Sequence, residues 1–318
     1  MEGAWLAGPD GAVRSLPLEA AATWRGPGFL WIHLEGRDAA DLGFLKVQPD
    51  LPDVAAGALA ATETRPRCDL IGEGAILNLR GPGDLDPVDS DRLVSIRFWV
   101  VDGKVTSLSR RRLAATPDVI GLMESGQIRD SGDLVAAFAK TISKALDPQV
   151  AALGDTLDEA ESDLEPSNIY RLRRVITGVR SDAIGFRRFV APDRDALRTL
   201  AELEFDWLAA DDRLHIVEAA DRFAPMAEEL EAVRERAALL HEQITDLRAE
   251  QVDQRALYIA VVAFIFLPLT FITGLLGMNV QGIPYAQAPW AFWGVVGFCV
   301  AVGAAVLGWF VRRQWLRR

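Results

Sequence analysis

Two long apolar segments lie near the C-terminal end of the chain. Residues 256–276 form a run of 21 residues without a charge, and residues 290–311 form a run of 22. Each run matches the ~20 apolar residues that a helix needs to cross a bilayer core. One such run also fits a buried helix of a soluble protein, but two in tandem followed by arginines favour a membrane hairpin. The pattern predicts two transmembrane helices, with an outer loop at residues 277–289 and a basic tail at residues 312–318.

A heptad pattern precedes the first apolar segment. Over residues 212–255, apolar positions alternate spacings of three and four: Ile216, Ala219, Phe223, Met226, Leu230, Val233, Ala237, Leu240, Ile244 and Leu247. This repeat predicts a long stalk helix that packs on partner helices. At Pro225 we expect a bend rather than an end, because the seam resumes in phase after it. Nothing between Leu247 and Ala256 signals a stop, so the stalk is predicted to continue into the first span.

The first 130 residues combine strand and helix patterns. Strands are predicted at residues 28–34, 75–80, 93–101 and 104–108, and Asp102-Gly103 has the spacing of a tight hairpin turn between the last two. Helices are predicted at residues 51–61 and 117–123. These alternating patterns predict an α+β domain over residues 1–130, long enough to bury its own core.

Strand signals vanish after residue 130, and residues 131–211 are predicted to be helical. Asp133 is the predicted N-cap of this region. Pro148, Pro166 and Pro192 interrupt it and indicate several helices rather than one.

Charge separates the two parts of the chain. The formal net charge is −11, and because residues 256–318 contribute four arginines and no acid, residues 1–255 carry −15. An acidic body attracts cations and repels nucleic acid, so no nucleic-acid partner is expected.

The N-terminus lacks the basic start and apolar core of a signal peptide, and basic residues flank the hairpin but are absent from its loop. We therefore expect both termini in the cytoplasm and the loop outside.

The outer loop carries the tripeptide Gly277-Met278-Asn279 and no charge. A small or polar stripe approaches it along the first span: Asp253, Ala256, Ala260, Ala263, Leu267, Thr270 and Gly274. Close helix packing explains small residues, and a turn explains Gly277 and Asn279. A pore explains them too, because Asn279, Thr270 and Asp253 would contact a passing cation while Leu267 would form a hydrophobic constriction.

The segment from Phe266 to Asn279, FLPLTFITGLLGMN, resembles the first-span signature of the CorA superfamily of divalent-cation transporters. Within that superfamily the chain is most similar to the ZntB branch. The stretches that carry this likeness are Thr64-Arg65-Pro66-Arg67, Leu77-Asn78-Leu79-Arg80-Gly81, the pair Arg97 and Trp99, and Val280-Gln281-Gly282-Ile283-Pro284.

The resemblance implies a funnel-shaped homopentamer in the inner membrane, with four further copies of the chain as partners and no cofactor. It implies transport of zinc, with uptake coupled to protons, through a pore lined by the first span. Asn279 would lie at the outer mouth and Asp253 near the cytoplasmic exit. The basic collar at the cytoplasmic membrane surface would comprise Arg312, Arg313, Arg317 and Arg318.

Ion identity and function class leave alternatives open. CorA magnesium channels carry acidic residues in the outer loop, and residues 277–288 carry none, which favours the ZntB branch. ZntB-like chains often have Val or Ile before the asparagine, so Met278 leaves magnesium and cobalt open. A membrane-anchored sensor or scaffold is the alternative of another class. No enzyme motif is found, so an enzyme is not expected.

A tight metal site is not predicted within one chain. His33, His215 and His241 are far apart in sequence and no Cys/His cluster has ligand spacing, so passage of a largely hydrated ion is expected instead. Four stalk acids are candidates for divalent-ion binding between subunits, although a solvated helix face also explains them: Glu218, Asp221, Glu228 and Glu231.

Overall fold

Seven strands form one mixed sheet in the N-terminal part of the chain. The computed structural model describes residues 2–36, 39–62, 65–84, 93–165, 167–278, 283, 285 and 287–315. The strands are β1 Gly3–Ala7, β2 Val13–Leu16, β3 Phe29–Leu34, β4 Arg67–Ile71, β5 Gly74–Pro82, β6 Leu93–Val101 and β7 Lys104–Ser109. Their order is β2-β1-β3-β7-β6-β5-β4. All neighbours are antiparallel except β3 and β7, which are parallel.

Nine helices accompany the sheet in the described residues. They are α1 Leu18–Ala22, α2 Ala39–Val47, α3 Asp53–Ala60, α4 Thr116–Glu124, α5 Ser131–Ser162, α6 Ile169–Glu202, α7 Ala210–Asp221, α8 Phe223–Leu276 and α9 Ala291–Trp315. The α+β domain and the apolar helices predicted from the sequence are thus confirmed. The chain divides into two units, Met1–Glu242 and Gln243–Arg318.

The predicted strands are those with strong apolar patterns. The four predicted runs are confirmed as β3, β5, β6 and β7, and Gly103 adopts φ +62 in the predicted hairpin turn, which suits glycine. Sequence analysis missed β1, β2 and β4. The edge strands β2 and β4 are largely exposed, so they lack the alternation that marks a half-buried strand.

The core of the first unit lies on both faces of the sheet. On one face, Phe138 of α5 makes edge contacts with Trp31 and Phe98, at ring-centroid distances of 5.6 and 5.0 Å. On the other face, Ile32 and Ile76 belong to a buried cluster with α3 residues, including Leu59. Burial on both faces explains why the central strand β3 is an unbroken apolar run with one histidine.

Two predictions for the helical region were wrong. Asp130, not Asp133, caps α5, since its carboxylate accepts a hydrogen bond from the Asp133 backbone N–H at 2.8 Å. Pro148 and Pro192 lie inside α5 and α6 instead of ending helices, although the region does comprise several helices. Pro166 lies outside the described residues. A proline in a helix interior costs about 3 kcal/mol, and burial of the apolar faces of these long helices outweighs that cost.

The heptad seam is buried as predicted. Nine of its ten members, from Ile216 to Ile244, are buried, and Leu247 is half-buried. The helix is interrupted only at Arg222, between α7 and α8, where the backbone stays right-handed helical at φ −68 and ψ −25. Pro225 accounts for the position of this break, because it has no N–H to donate to the carbonyl of Asp221, four residues earlier. The break lies three residues before Pro225, and the seam remains in phase across it, while the bend itself stays a prediction.

His33 is a buried titratable group in the centre of the sheet. It lies on β3, is 2% exposed, and its Nδ1 lies 2.8 Å from the hydroxyl oxygen of Ser107. Burial lowers the pKa of His33 to about 4, the N-terminal charge acts in the same direction, and Glu35 opposes both. The folded chain therefore holds His33 neutral at pH values where an unfolded chain would protonate it.

This burial predicts an acid-sensitive stability. The folded pKa lies below the unfolded value of about 6.5, so between these values the unfolded state binds more protons and the free energy of unfolding falls as the pH falls. Between pH 7.5 and 5.0 the loss from this group is about 2 kcal/mol. His33→Gln should remove this component, whereas His215→Gln, at an exposed site on α7, should retain it. Urea unfolding of the full chain in detergent at both pH values measures the difference, and equal pH dependence in native chain and His33→Gln would contradict it.

Candidate functional site

The second unit contains two helices that are long and apolar enough to cross a membrane. They are the C-terminal part of α8, ending at Leu276, and α9 up to Phe310. Their apolar side chains are extensively exposed in the single chain, among them Phe264, Phe271 and Trp293 at 65%, 70% and 72%. An apolar surface of this extent is suited to lipid or to other copies of the chain rather than to water.

One face of each helix is partly covered. On α8 the half-buried positions are Val261, Ile265, Leu269, Ile272 and Leu276, and on α9 they are Ala291, Val295, Cys299, Val302, Gly303, Val306 and Phe310. Spacings of three and four place each set on one helix face. Each helix therefore has one partly covered face, and this burial pattern indicates that the two faces pack on each other.

The predicted stripe lies on the opposite side of α8. Its members are exposed in the single chain, from Asp253 and Ala256 to Gly274, and Leu267 is 76% exposed. At about 100° per residue, the centre of the stripe from Ala256 to Gly274 lies about 180° from the half-buried face. The six residues of the stripe from Ala256 to Gly274 therefore lie on one continuous face of α8. The hairpin leaves this face uncovered.

The outer end of α8 is closed by local hydrogen bonds. Gly277 donates its backbone N–H to the carbonyl of Thr273 at 2.9 Å, and Met278 is exposed. Asn279 lies outside the described residues, so its predicted role at the mouth stays a prediction. Farther along the loop, the rings of Tyr285 and Trp290 lie 5.3 Å apart. Aromatic side chains at this point suit the interface between lipid and water.

The predicted basic collar is described only in part. Arg312 is exposed at the C-terminal end of α9, and Arg313 continues that helix. Arg317 and Arg318 lie outside the described residues. The collar therefore stays a prediction.

The four stalk acids do not converge on one another as a metal site. Asp221 forms an ion pair with Arg198 at 2.7 Å, and Glu231 pairs with Arg187 at 2.8 Å, so both join the stalk to α6. Glu218 and Glu228 are exposed. Ion pairs at such exposure contribute little to stability, because solvent screens them. Binding of divalent ions by these acids between subunits stays a prediction.

Three other carboxylates lie together in the first unit. Oxygens of Asp130, Asp133 and Asp212 lie within 4.8 Å of one another. Each already accepts a backbone N–H: Asp130 from Asp133, Asp133 from Arg129 and Asp212 from Ala209. Burial raises the pKa of Asp133 and Asp212, with Asp130 acting in the same direction. Sequence analysis did not group these three carboxylates, although the spacing of Asp130 and Asp133 is typical of the start of a helix. Their contacts with backbone N–H groups stabilise the starts of helices.

Comparison with known proteins places this architecture among transporters. The chain matches the family described as CorA-like Mg2+ transporter protein over residues 26–313. The zinc transport protein ZntB of Pectobacterium atrosepticum is 30% identical over 287 residues, covering 90% of this chain and 88% of that protein. ZntB of Yersinia enterocolitica is 30% identical over 310 residues, covering 96% and 93%.

Solved structures agree with this comparison. The structure of the full-length CmaX protein has a TM-score of 0.78 and 28% sequence identity, and the match covers 99% of this chain and 98% of that chain. The CorA magnesium transporter from Methanocaldococcus jannaschii has a TM-score of 0.81 at 17% identity, covering 98% of both chains. At that identity the second likeness concerns the fold alone.

Proposed function

The chain belongs to the CorA-like Mg2+ transporter family, and from this premise we propose that it is a homopentameric transporter of divalent cations in the inner membrane, with zinc as its substrate. The observation that carries the proposal is the exposed stripe of α8, which lies opposite the partly covered face of that helix. A helix with its hairpin partner on one side and small residues on the other is suited to surround an axis with further copies of itself.

Assembly follows from the size of the hairpin. Two helices cannot enclose an aqueous path, so a pore requires several copies around an axis, and closed rotational symmetry is the rule for such assemblies. In the proposed pentamer the stripe from Asp253 to Gly274 lines the pore, with Leu267 as its hydrophobic constriction. The second span then lies outside the first.

Substrate choice rests on the outer loop and the relatives. The residues from Gly277 to Ala288 carry no charge, so the loop has no carboxylates with which to strip water from a cation. Divalent ions, and magnesium above all, release their water reluctantly, and a neutral amide such as that of Asn279 can hydrogen-bond that water. The relatives at 30% identity are named zinc transport proteins, which supports zinc ahead of magnesium or cobalt.

The proposed transporter has both termini in the cytoplasm and takes up its ion together with protons. The arginines on the cytoplasmic side of both spans support cytoplasmic termini and an outer loop that faces away from the cytoplasm. The resemblance to the ZntB branch supports uptake coupled to protons.

Ion flux into proteoliposomes tests this function. The full chain should carry zinc, and Asn279→Ala should lower the initial rate about tenfold, which corresponds to about 1.4 kcal/mol. Gln287→Ala is the matched control, because it removes an amide from the same loop at a position without a proposed role, and its rate should stay within about twofold of native. Faster uptake under an inward proton gradient would support coupling.

Three results would count against the proposal. Equal rates for Asn279→Ala and Gln287→Ala would remove Asn279 from the mechanism. Flux of magnesium or cobalt, with no flux of zinc, would show that zinc is not the substrate. No flux of any of these ions would favour the membrane-anchored scaffold.

A further inference from the structure

A basic cavity of about 910 Å³ opens in the first unit, and none of the described residues that line it is acidic. Seven of these thirteen described lining residues are arginines. The sheet contributes Arg67 from β4, Arg80 from β5 and Arg97 from β6, and Arg110 and Arg111 follow β7. This concentration of positive charge occurs in a part of the chain with a strongly negative total, so solubility does not explain it.

Strand register brings the sheet arginines together. Asn78 of β5 lies between Arg67 of β4 and Arg97 of β6, and Arg80 lies two residues after Asn78. Side chains two apart, and those directly opposite on neighbouring strands, point to the same face of a sheet. The arginines of three strands therefore share one face, at the end of the sheet where the chain leaves β7 for Arg110.

Helix α6 closes the other side of the cavity. It contributes Gly185, Arg188 and Phe189, and Arg188 is exposed. The guanidinium of Arg80 lies 3.9 Å from the centre of the Phe189 ring and donates to the backbone carbonyl of Leu93 at 3.1 Å. These contacts hold Arg80 in place beside the cavity.

Arg97 is a buried cation with unused hydrogen-bond donors. It is 2% exposed, and its Nε and Nη1 have no hydrogen-bond partner among the described residues. The Nε of Arg110 and the side-chain amide of Asn78, opposite Arg97 on β5, are likewise without partners there. A buried unpaired charge is strongly unfavourable, so such an arrangement is retained where a counter-charge binds.

Neighbouring positive charges make the buried charge of Arg97 still less favourable. Burial first, and then repulsion from Arg110 and Arg80, lower the pKa of Arg97 to about 10. The buried carboxyl of Asp193 accepts the backbone N–H of Arg80 at 2.9 Å, but its own burial raises its pKa well above the ordinary value. Asp193 is therefore a poor counter-charge. Arg67 is already paired with Asp69, at 2.8 Å.

We propose that this cavity binds a small molecule that bears a di- or polyphosphate group, with Arg97 as its buried anchor. Guanidinium groups match phosphate oxygens with two parallel hydrogen bonds, and several converging arginines favour a multiply charged anion over a single chloride. The cavity falls within the ~300–1,000 Å³ range of small-molecule sites, which leaves room for a nucleotide as well as for inorganic pyrophosphate. The site is independent of the proposed pore.

Binding to the full chain in detergent tests the proposal, with EDTA present so that metal complexes of phosphate do not contribute. Pyrophosphate and ATP should bind in isothermal titration at fixed sodium chloride, and adenosine should not. Arg188→Gln should weaken binding at least about tenfold. Arg180→Gln is the matched control, since it removes an exposed arginine from the same helix outside the cavity, and it should bind like the native chain.

The two phosphate ligands distinguish the source of the anion. Tighter binding of ATP than of pyrophosphate would support a nucleotide, and equal affinity would support recognition of the phosphates alone. Adenosine binding as tight as that of ATP would overturn the proposal. So would a native chain that binds neither pyrophosphate nor ATP, because neutralisation by the chain's own carboxylates would then account for the arginines.

Arg97→Met separates binding from a structural role. If Arg97 serves a ligand, the apolar side chain should abolish pyrophosphate binding and leave the urea midpoint of the ligand-free chain unchanged or raised, since an unpaired buried charge is removed. A lowered midpoint with unchanged pyrophosphate binding would show that Arg97 serves the fold and would overturn its role as anchor.

Discussion

Ala263→Phe is expected to reduce zinc flux about a hundredfold, the effect of raising the barrier to passage by about 3 kcal/mol. Ala263 lies in the middle of the exposed stripe of α8, opposite the partly covered face of that helix. In the proposed pentamer the substitution adds a ring of five phenyl groups to the narrow, dehydrating part of the pore beside Leu267. A cation that retains its water shell cannot pass such a constriction.

The matched control for this substitution is Ala304→Phe. Ala304 lies on α9, is also exposed in the single chain, and is seven residues from the cytoplasmic end of its apolar run, as Ala263 is from that of the first. It faces away from the half-buried side of α9, so a phenyl group there should enter lipid and leave zinc flux within about twofold of native. The measurement is dye-reported zinc entry into proteoliposomes at equal protein incorporation. A similar loss in both variants would contradict the assignment of the stripe to a pore.

Phe138→Ala is expected to lower the free energy of unfolding by about 4 kcal/mol, because it deletes a buried aromatic ring and leaves a cavity. Phe138 is fully buried on α5 and makes edge contacts with Trp31 and Phe98, on two different strands. Trp31 in turn stacks on Trp5 of β1, with ring centroids 4.7 Å apart. Phe138 thus joins the long helix α5 to two strands directly and to β1 through Trp31.

Ile184→Ala on α6 is the control for this second prediction. Ile184 is 49% exposed, so its truncation should change stability by less than about 0.5 kcal/mol. Urea unfolding of the full chain in detergent, followed by tryptophan fluorescence, reports both variants. A Phe138→Ala midpoint equal to that of Ile184→Ala would show that the aromatic cluster does not hold α5 to the sheet.

The elements that the sequence predicted share a strong periodic signal. The heptad seam from Ile216 to Ile244 repeats often enough to identify a buried helix face, and the β6–β7 hairpin has Asp102-Gly103 at its turn. Strands β2 and β4 have no such signal, because an edge strand exposes both sides of its short length. The cap at Asp130 was missed for a different reason, since Asp133 three residues later has the same chemistry and only the hydrogen bond between them distinguishes the two.

The arginine cavity could not be predicted from the order of residues along the chain. Arg65, Arg67, Arg80 and Arg97 stood out in the sequence only as marks of a family branch. The run Arg110-Arg111-Arg112 at the end of a strand was a signal of basic surface, and Arg188 carried no signal at all. Strand pairing, which joins residues far apart in the chain, brings Arg67, Arg80 and Arg97 to one wall, and Arg188 of α6 lies on the other side.

The sequence by itself determined the two membrane-length spans, the buried seam of the stalk and the small stripe of the first span, because each depends on spacing along one helix. Only the tertiary structure decided that this stripe lies opposite the partly covered face of α8 and that Pro148 and Pro192 remain within helices. It alone decided that Arg97 is buried beside Arg80 and Arg110, with its Nε and Nη1 lacking hydrogen-bond partners among the described residues. These outcomes depend on which surfaces pack together. The energy of that packing arises between segments that are far apart in the chain, so no local sequence pattern predicts it.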